Sequence, residues 1–153
     1  MARIVRRIDV PPEIRARYAA ADYASAFLLP GDRSGKPEKW ARATFEGAPV
    51  PLRWLLPFGW RLVLGLRLGP LRSSRHVLGW RIEDSDEGSI TLESRSWLAV
   101  ADNIVVVEET GVRWVTVVHY RRRVAAAVWA LAAPIHHLTV PWLLGRAARS
   151  LDG

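Results

Sequence analysis

The chain has 153 residues, 50% of them hydrophobic and 24% charged, with no cysteine and a formal net charge of +7. This length and composition predict one globular domain with a substantial core and exclude a disordered chain. The lack of cysteine excludes disulfides, cysteine-ligated zinc or iron–sulfur centres and thiol catalysis, and it fits a cytoplasmic location.

The charges are distributed unevenly along the chain. Acidic residues are absent from Gly47–Ile82 and from Thr110–Leu151, whereas Glu83–Glu109 contains a block of them. Two arginine-containing stretches without acids favour anionic partners: phospholipid headgroups, nucleic acid or a negatively charged small molecule. The alternative is a solvated basic surface that only keeps the protein soluble.

The N-terminal segment mixes arginines with Pro11-Pro12 and has no continuous apolar run. We therefore expect residues 1–20 to form an arm that runs extended before a short helical turn and carries no secretory signal, followed by a single domain over residues 21–153. Asp22–Leu29 alternates well enough to predict a first strand, which ends at the turn residues Pro30 and Gly31.

Two helical segments follow the first strand. Lys36–Gly47 has Pro37 and Glu38 at its start and glycine at its end, which are helix start and stop signals. The predicted buried stripe of this helix is Trp40, Ala43 and either Thr44 or Phe45.

Pro49–Leu71 is apolar but interrupted by proline and glycine. The spacing of its large apolar residues predicts one or two short helices with their arginines pointing outward. Those residues are Trp54, Leu55, Phe58, Leu62 and Leu66. Each central arginine would cost roughly 2.5–3.5 kcal/mol in a bilayer, which argues against a membrane span here but leaves interfacial membrane contact open.

From His76 onwards, apolar and polar residues alternate with a period of two residues. This predicts four consecutive strands: His76–Asp84, Ser89–Leu98, Asn103–Glu109 and Val112–Arg121. The turn residues between them are Ser85–Gly88, Ala101-Asp102 and Thr110-Gly111. Short turns between neighbouring strands predict an antiparallel meander.

Val124–Gly145 contains 22 residues without a formal charge, which is long enough for a membrane span. Histidines and prolines interrupt the segment, and its apolar residues form a stripe spaced by three and four. The stripe is Val124, Val128, Leu131, Ile135, Leu138 and Trp142. We interpret the segment as an amphipathic helix that packs this stripe on the sheet, with a kink or restart near Pro134 or Thr139–Pro141, and not as a membrane span.

The predicted order is therefore a strand, two short helices, a run of strands and a long C-terminal helix. An antiparallel sheet with its helices on one face is an α+β design. A curved antiparallel sheet wrapped around the long C-terminal helix would leave a cavity between them.

Four stretches carry a resemblance to a known family. They are ADYASAF at Ala21–Phe27, WARATFEGAP at Trp40–Pro49, LGLRLG at Leu64–Gly69 and VWALAAPIHHLTVPWLLGRAA at Val128–Ala148. Over about residues 20–153 the chain resembles an uncharacterised, mainly actinobacterial family with a domain-of-unknown-function label. That family resembles the helix-grip superfamily, which includes START lipid-transfer domains, the birch pollen allergen group and polyketide cyclases. The resemblance implies a cavity for a hydrophobic or amphipathic ligand and carries over no catalytic residue.

Large aromatic and isolated polar side chains are the candidates for lining such a cavity. The predicted ligand-binding residues are Trp80, Ser94, Ser96, Trp114, His119, Trp129 and His136. Flat aromatic rings suit hydrophobic ligands, and the two serines could orient a polar group of the ligand. Ordinary core packing of the tryptophans, and a solvent-facing position of the serines, are the alternatives.

Catalytic and metal sites are weaker hypotheses. His119 and Asp102 could form an acid/base pair if they meet inside the cavity, although Asp102 equally suits a turn. His136-His137 could bind a metal with His119 or His76, but adjacent residues of a helix point about 100° apart. We expect neither a metal nor a cofactor.

The leading functional hypothesis is a non-catalytic carrier or sensor of a hydrophobic molecule, with peripheral contact to anionic membranes. The alternatives are a cyclase- or isomerase-type enzyme and a protein-interaction module. Nucleic acid is a weaker candidate partner, because no recognised nucleic-acid fold or base-stacking motif accompanies the arginines.

Overall fold

The computed structural model describes residues 5–31 and 35–152, without the side chains of residues 72 and 152. The elements in chain order are β1 (Arg6–Ile8), α1 (Pro12–Arg17), β2 (Tyr23–Pro30), α2 (Pro37–Phe45), α3 (Val50–Leu62), β3 (Arg72–Ser73), β4 (His76–Val77), β5 (Trp80–Ser85), β6 (Ser89–Arg95), β7 (Ala99–Glu108), β8 (Gly111–Tyr120) and α4 (Val124–Asp152).

The strands of the described ranges form one antiparallel sheet in the order β1-β2-β8-β7-β6-β5-β4-β3. The meander β5-β6-β7-β8 is as predicted, and β2 returns to pair with β8 over its full length, from Tyr23 opposite Val118 to Pro30 opposite Gly111. The predicted α+β class, with short helices after the predicted first strand and a long C-terminal helix, is confirmed.

The turn between β6 and β7 differs from the prediction. Asp102 was expected in a turn, but it lies inside β7, opposite Glu93 of β6. The turn occurs earlier because Ser96 organises it: its Oγ accepts hydrogen bonds from the backbone N–H groups of Leu98 and Ala99, each at 2.9 Å. A serine that satisfies two backbone donors replaces the predicted Ala101-Asp102 turn.

Side chains of the sheet alternate between two buried faces. On β8, Trp114 and Val118 face the main core with α2 and α4, whereas Val115 and Val117 face a second core under α1. Both faces are therefore covered, which agrees with the apolar character of both faces of this strand. Residues 5–20, expected as an extended arm, provide β1 to the sheet and α1 to the second core.

The helix α2 packs through the face that its sequence predicts. Trp40, Thr44 and Phe45 are buried, together with Ala41, while the predicted Ala43 is only half-buried. Phe45 contacts the indole of Trp114 edge-on, with ring centroids 5.1 Å apart. This helix therefore supplies the central aromatic contact between the helices and the sheet.

The long helix α4 buries a different face from the predicted one. Leu131, Ile135 and Leu138 of the predicted core stripe are 78%, 68% and 77% exposed. The buried residues are Ala125, Trp129, Val140, Leu143, Leu144, Ala147 and Ala148. α4 runs as one helix with Pro134 and Pro141 inside it, so the expected restart is absent from the described residues 124–152.

Gly111, the first residue of β8, has a backbone conformation that side chains rarely adopt, with φ +147°. A Cβ there would also overlap the carbonyl oxygen of Leu29 on the neighbouring strand. We expect Gly111→Ala to lower the free energy of unfolding by about 3 kcal/mol. The control is Gly88→Ala, because the nearest atom to a Cβ at Gly88 is Asp86 Oδ1 at 3.7 Å. Urea unfolding measures both, and equal stability of the two variants would contradict the prediction.

Candidate binding site

The centre of the main core is filled by aromatic side chains. Trp114 is fully buried, and its Nε1–H donates to Asn103 Oδ1 at 3.1 Å. The same oxygen accepts the hydroxyl of Thr116 at 2.6 Å. Trp114 is therefore held in place by packing and by a satisfied hydrogen bond, which identifies it as a structural residue of the core.

A cluster of aromatic and imidazole rings lies where α4 meets β2. Its members are Tyr23, Phe27, Trp129, His136 and His137, which we call the aromatic–histidine cluster. Trp129 meets Tyr23 edge-on at 5.0 Å, and its ring centroid lies 5.4 Å from that of His136. Trp129 and His136 lie side by side because residues seven positions apart share one face of a helix.

Burial keeps the imidazoles of this cluster neutral. Burial, with the neighbouring His137 and Arg7, lowers the pKa of His136 to about 3. Burial and Arg7 likewise lower the pKa of His137, while burial raises the pKa of Tyr23. The hydroxyl of Tyr23 and Nε2 of neutral His137 form a hydrogen bond, whose donor is set by the tautomer of the imidazole.

Two buried nitrogen atoms of the cluster remain without a partner among the described residues. They are Nε1 of Trp129 and Nε2 of His136. Trp129 Nε1–H can only donate, whereas neutral imidazole offers one donor and one acceptor. Most buried polar atoms have a partner, so two unpartnered atoms on one helix face identify a place where a ligand group could bind.

The predicted ligand residues divide between the two faces of the sheet. Six of them lie on the face that α2 and α4 cover: Trp80, Ser94, Ser96, Trp114, Trp129 and His136. Trp80 Nε1 and Ser94 Oγ are also buried without a partner in the described part of the chain, whereas Ser96 and Trp114 are engaged in internal hydrogen bonds.

His119 lies on the opposite face, under α1, where its ring centroid is 6.3 Å from that of Tyr18. Asp102 is on this same face, and its backbone partner Val117 is two residues before His119. The two residues therefore share a face on neighbouring strands, but the sheet separates both from the aromatic–histidine cluster. An acid/base pair inside a cavity under α4 is excluded by this arrangement.

Three carboxylates meet on this opposite face: Glu83, Glu93 and Asp102, whose oxygen atoms lie within 4.8 Å of one another. Two arginines compensate Glu93, with Arg95 Nε at 2.7 Å and Arg81 at 3.2 Å from its Oε1. These carboxylates are the described residues with the right chemistry and spacing to hold a cation.

Crowding of like charges changes the ionisation of the three acids. Burial and the nearby Glu93 raise the pKa of Asp102 to about 7. A hydrogen bond with Glu93 raises the pKa of Glu83, whereas the two arginines hold the pKa of Glu93 below its usual value despite its burial. Asp102 Oδ1 is buried and has no hydrogen-bond partner within the described ranges.

The histidines considered as metal ligands are dispersed. His137 is bonded to Tyr23, while His76 lies on β4 with its Nδ1 3.2 Å from Ser73 Oγ. His119 is on the other face of the sheet. The structure thus brings together only the adjacent pair His136-His137, with ring centroids 5.9 Å apart.

An open groove of 460 Å³ lies at the N-terminal segment, away from the cluster. It is lined by Ile8, Asp9, Val10, Pro11, Pro12, Glu13, Arg15 and Arg113. Its mixed polar lining and its position beside α1 distinguish it from the predicted hydrophobic cavity under α4.

The open antiparallel sheet, with α2 and α4 over one face and a partly buried aromatic–histidine cluster where α4 meets β2, defines a small α+β domain. The chain belongs to a protein family of unknown function, DUF2867, whose model matches residues 17–143. No curated protein and no solved structure matches the chain. The predicted membership of an uncharacterised family is thus confirmed.

Proposed function

We propose that this protein is a helix-grip carrier or sensor that binds an amphipathic, mainly apolar small molecule between β2 and α4. The observation that supports this proposal is the pair of unpartnered buried atoms in the aromatic–histidine cluster, Trp129 Nε1 and His136 Nε2. The antiparallel sheet with a long C-terminal helix is consistent with the helix-grip architecture.

The energetics of the unpartnered atoms favour a bound polar group. A buried donor or acceptor without a partner costs about 1–3 kcal/mol, which a ligand recovers by supplying the missing hydrogen bond. The ring centroids of Trp129 and His136 are 5.4 Å apart, so one molecule can reach both. A hydroxyl or carboxyl group fits, because Trp129 requires an acceptor.

The charges around the cluster favour binding over catalysis. The ionisable neighbours that act on His136 are His137 and Arg7, and Arg7 adds positive charge beside neutral imidazoles. Such surroundings suit a neutral or anionic polar group, and no carboxylate of the described ranges acts on His136 to take up a proton. The acid with a pKa of about 7, Asp102, is on the far side of the sheet. A cyclase- or isomerase-type activity therefore has weaker support than carriage.

The test is direct binding of cis-parinaric acid, a fluorescent fatty acid, together with native mass spectrometry and solvent extraction of the purified protein. We expect a stoichiometric complex and a co-purifying apolar molecule. Trp129→Phe keeps an aromatic side chain but removes the N–H with the five-membered part of the indole, so affinity should fall by about 2- to 10-fold.

Trp54→Phe is the matched control, since Trp54 is 71% exposed on α3 and should leave the affinity unchanged. The proposal would be contradicted if no molecule co-purifies and the fatty acid does not bind. Equal affinity of Trp129→Phe and the wild type would contradict the assigned position of the site.

A further inference from the structure

The large exposed apolar side chains of the described residues belong to three segments of the chain. There are twelve large ones, between 49% and 78% exposed: Val50, Trp54, Leu55, Phe58, Leu62, Val63, Trp97, Val124, Leu131, Ile135, Leu138 and Trp142. All belong to α3 and the residue after it, to α4, or to the β6–β7 turn. We call this set the apolar surface.

The three parts of the apolar surface are connected. α3 packs inward through Trp60, whose ring lies 5.1 Å from Phe45, while α4 packs beside α2. The turn with Trp97 links them: a Cβ at Gly65, after α3, would lie 2.9 Å from Trp97 Nε1. On the other side, Arg121, just before α4, donates to the carbonyl of Ser96 at 2.9 Å.

The exposed apolar side chains of α3 and α4 lie in two stretches of the sequence that contain arginines and no acidic residue, Gly47–Ile82 and Thr110–Leu151. Arginines lie within or beside both helices: Arg53, Arg61, Arg67, Arg121, Arg122, Arg123, Arg146 and Arg149. Exposed apolar side chains flanked by arginines and by tryptophans match the interface of a bilayer that contains anionic lipids.

We propose that the apolar surface docks on an anionic membrane, with α3 and α4 lying in the interface. A monomeric soluble protein rarely exposes such a large apolar patch. A second copy of the chain is a poorer occupant, because pairing these surfaces would place arginines against arginines. The proposal does not depend on the bound small molecule.

The helix α4 is long enough to span a membrane, over Val124–Leu151. Its C-terminal half, however, is part of the domain. Val140, Leu143 and Leu144 are buried in the main core, and Arg146 donates to the carbonyl of Gly47. Crossing the bilayer would remove these groups from the core. Docking in the interface leaves them in place and covers Leu131, Ile135 and Leu138.

Vesicle co-sedimentation tests the proposal with the full chain. We expect binding to vesicles of phosphatidylcholine mixed with phosphatidylglycerol, weaker binding to phosphatidylcholine alone, and a decrease with salt. Leu131→Ser/Leu138→Ser should reduce binding at least about 10-fold without loss of stability, because both side chains are exposed.

A pair of charge variants distinguishes the effect on binding of the arginines beside α4 from the effect of the net charge of the protein. Arg122→Glu/Arg123→Glu, beside α4, should weaken binding to the anionic vesicles by roughly 30-fold or more. Arg15→Glu/Arg17→Glu changes the net charge equally but lies on α1, behind the sheet, and should have a much smaller effect.

Four results would overturn the proposal. The first is no sedimentation with anionic vesicles, and the second is equal loss of binding in the two charge variants. The third is a dimer by light scattering that Leu131→Ser/Leu138→Ser converts to a monomer, which would assign the surface to a second copy. Protein that alkaline washing cannot release would instead indicate a span.

Discussion

Replacing Trp114 by alanine should lower the free energy of unfolding by about 4 kcal/mol, enough to threaten the fold of a domain this size. The indole is fully buried and meets Phe45 of α2 edge-on at 5.1 Å. Its removal leaves a cavity beneath α2 and takes a donor from Asn103. Denaturant unfolding followed by circular dichroism measures the change.

Trp54→Ala provides the matched control, because the same truncation at a 71% exposed position should cost less than about 0.5 kcal/mol. A second variant, Trp114→Phe, removes the N–H but keeps most of the ring. The free energy of unfolding of Trp114→Phe should lie between those of Trp114→Ala and Trp54→Ala. Similar stability of Trp114→Ala and Trp54→Ala would show that the interior is packed differently from this structure.

Asp102→Asn should stabilise the protein at about pH 8 but not at about pH 4. The pKa of Asp102 is raised from 3.8 to about 7, so the folded state favours the protonated acid. Its destabilising effect is absent below the unfolded pKa and grows as the pH rises from about 4 to about 7. The difference between the two pKa values sets an upper limit of roughly 4 kcal/mol, reduced where solvent screens the charge.

The measurement is the free energy of unfolding across this pH range for the wild type and for Asp102→Asn. The wild type should lose stability relative to the variant as the pH rises. Asp84→Asn, at an exposed position of β5, should follow the wild type. Parallel curves for wild type and Asp102→Asn would contradict the raised pKa.

The sheet was largely predictable because its sequence alternates with period two. β2, β6 and β8 lie close to their predicted ranges, since turn residues separate apolar strands at these positions. The short strands β1 and β3 were missed, because segments of two or three residues carry no periodic signal. The predicted strand His76–Asp84 is divided into β4 and β5 by Leu78 and Gly79. Asp102 misled the prediction because its turn preference is weaker than its pairing with β6 and β8.

The orientation of α4 could not be read from its sequence. Two stripes with the same spacing run along it, and the one with larger aliphatic side chains was predicted to be buried. The helix instead buries Trp129 and small or leucine residues, which fit closely beside α2 and β2. Periodicity locates an apolar face but does not choose between two of them.

The sequence predicted some of the residues of the aromatic–histidine cluster and missed others. Trp129 and His136 were predicted for the ligand and do lie together, whereas Tyr23 and His137 were missed. Tyr23 and His137 are 114 positions apart, and no local pattern indicates such a contact. His119 was predicted to face the ligand but lies on the other face of the sheet. Both faces of β8 are apolar, so the sequence does not show which of its side chains point towards α4.

The two outermost strands of the sheet have a consequence for solubility at high concentration. β1 and β3 are only three and two residues long, and both begin with arginine. Such short, charged edge strands offer little unpaired backbone to another molecule, which opposes strand addition and fibrillar aggregation. The protein can thus carry an open sheet without forming continuous intermolecular β-structure.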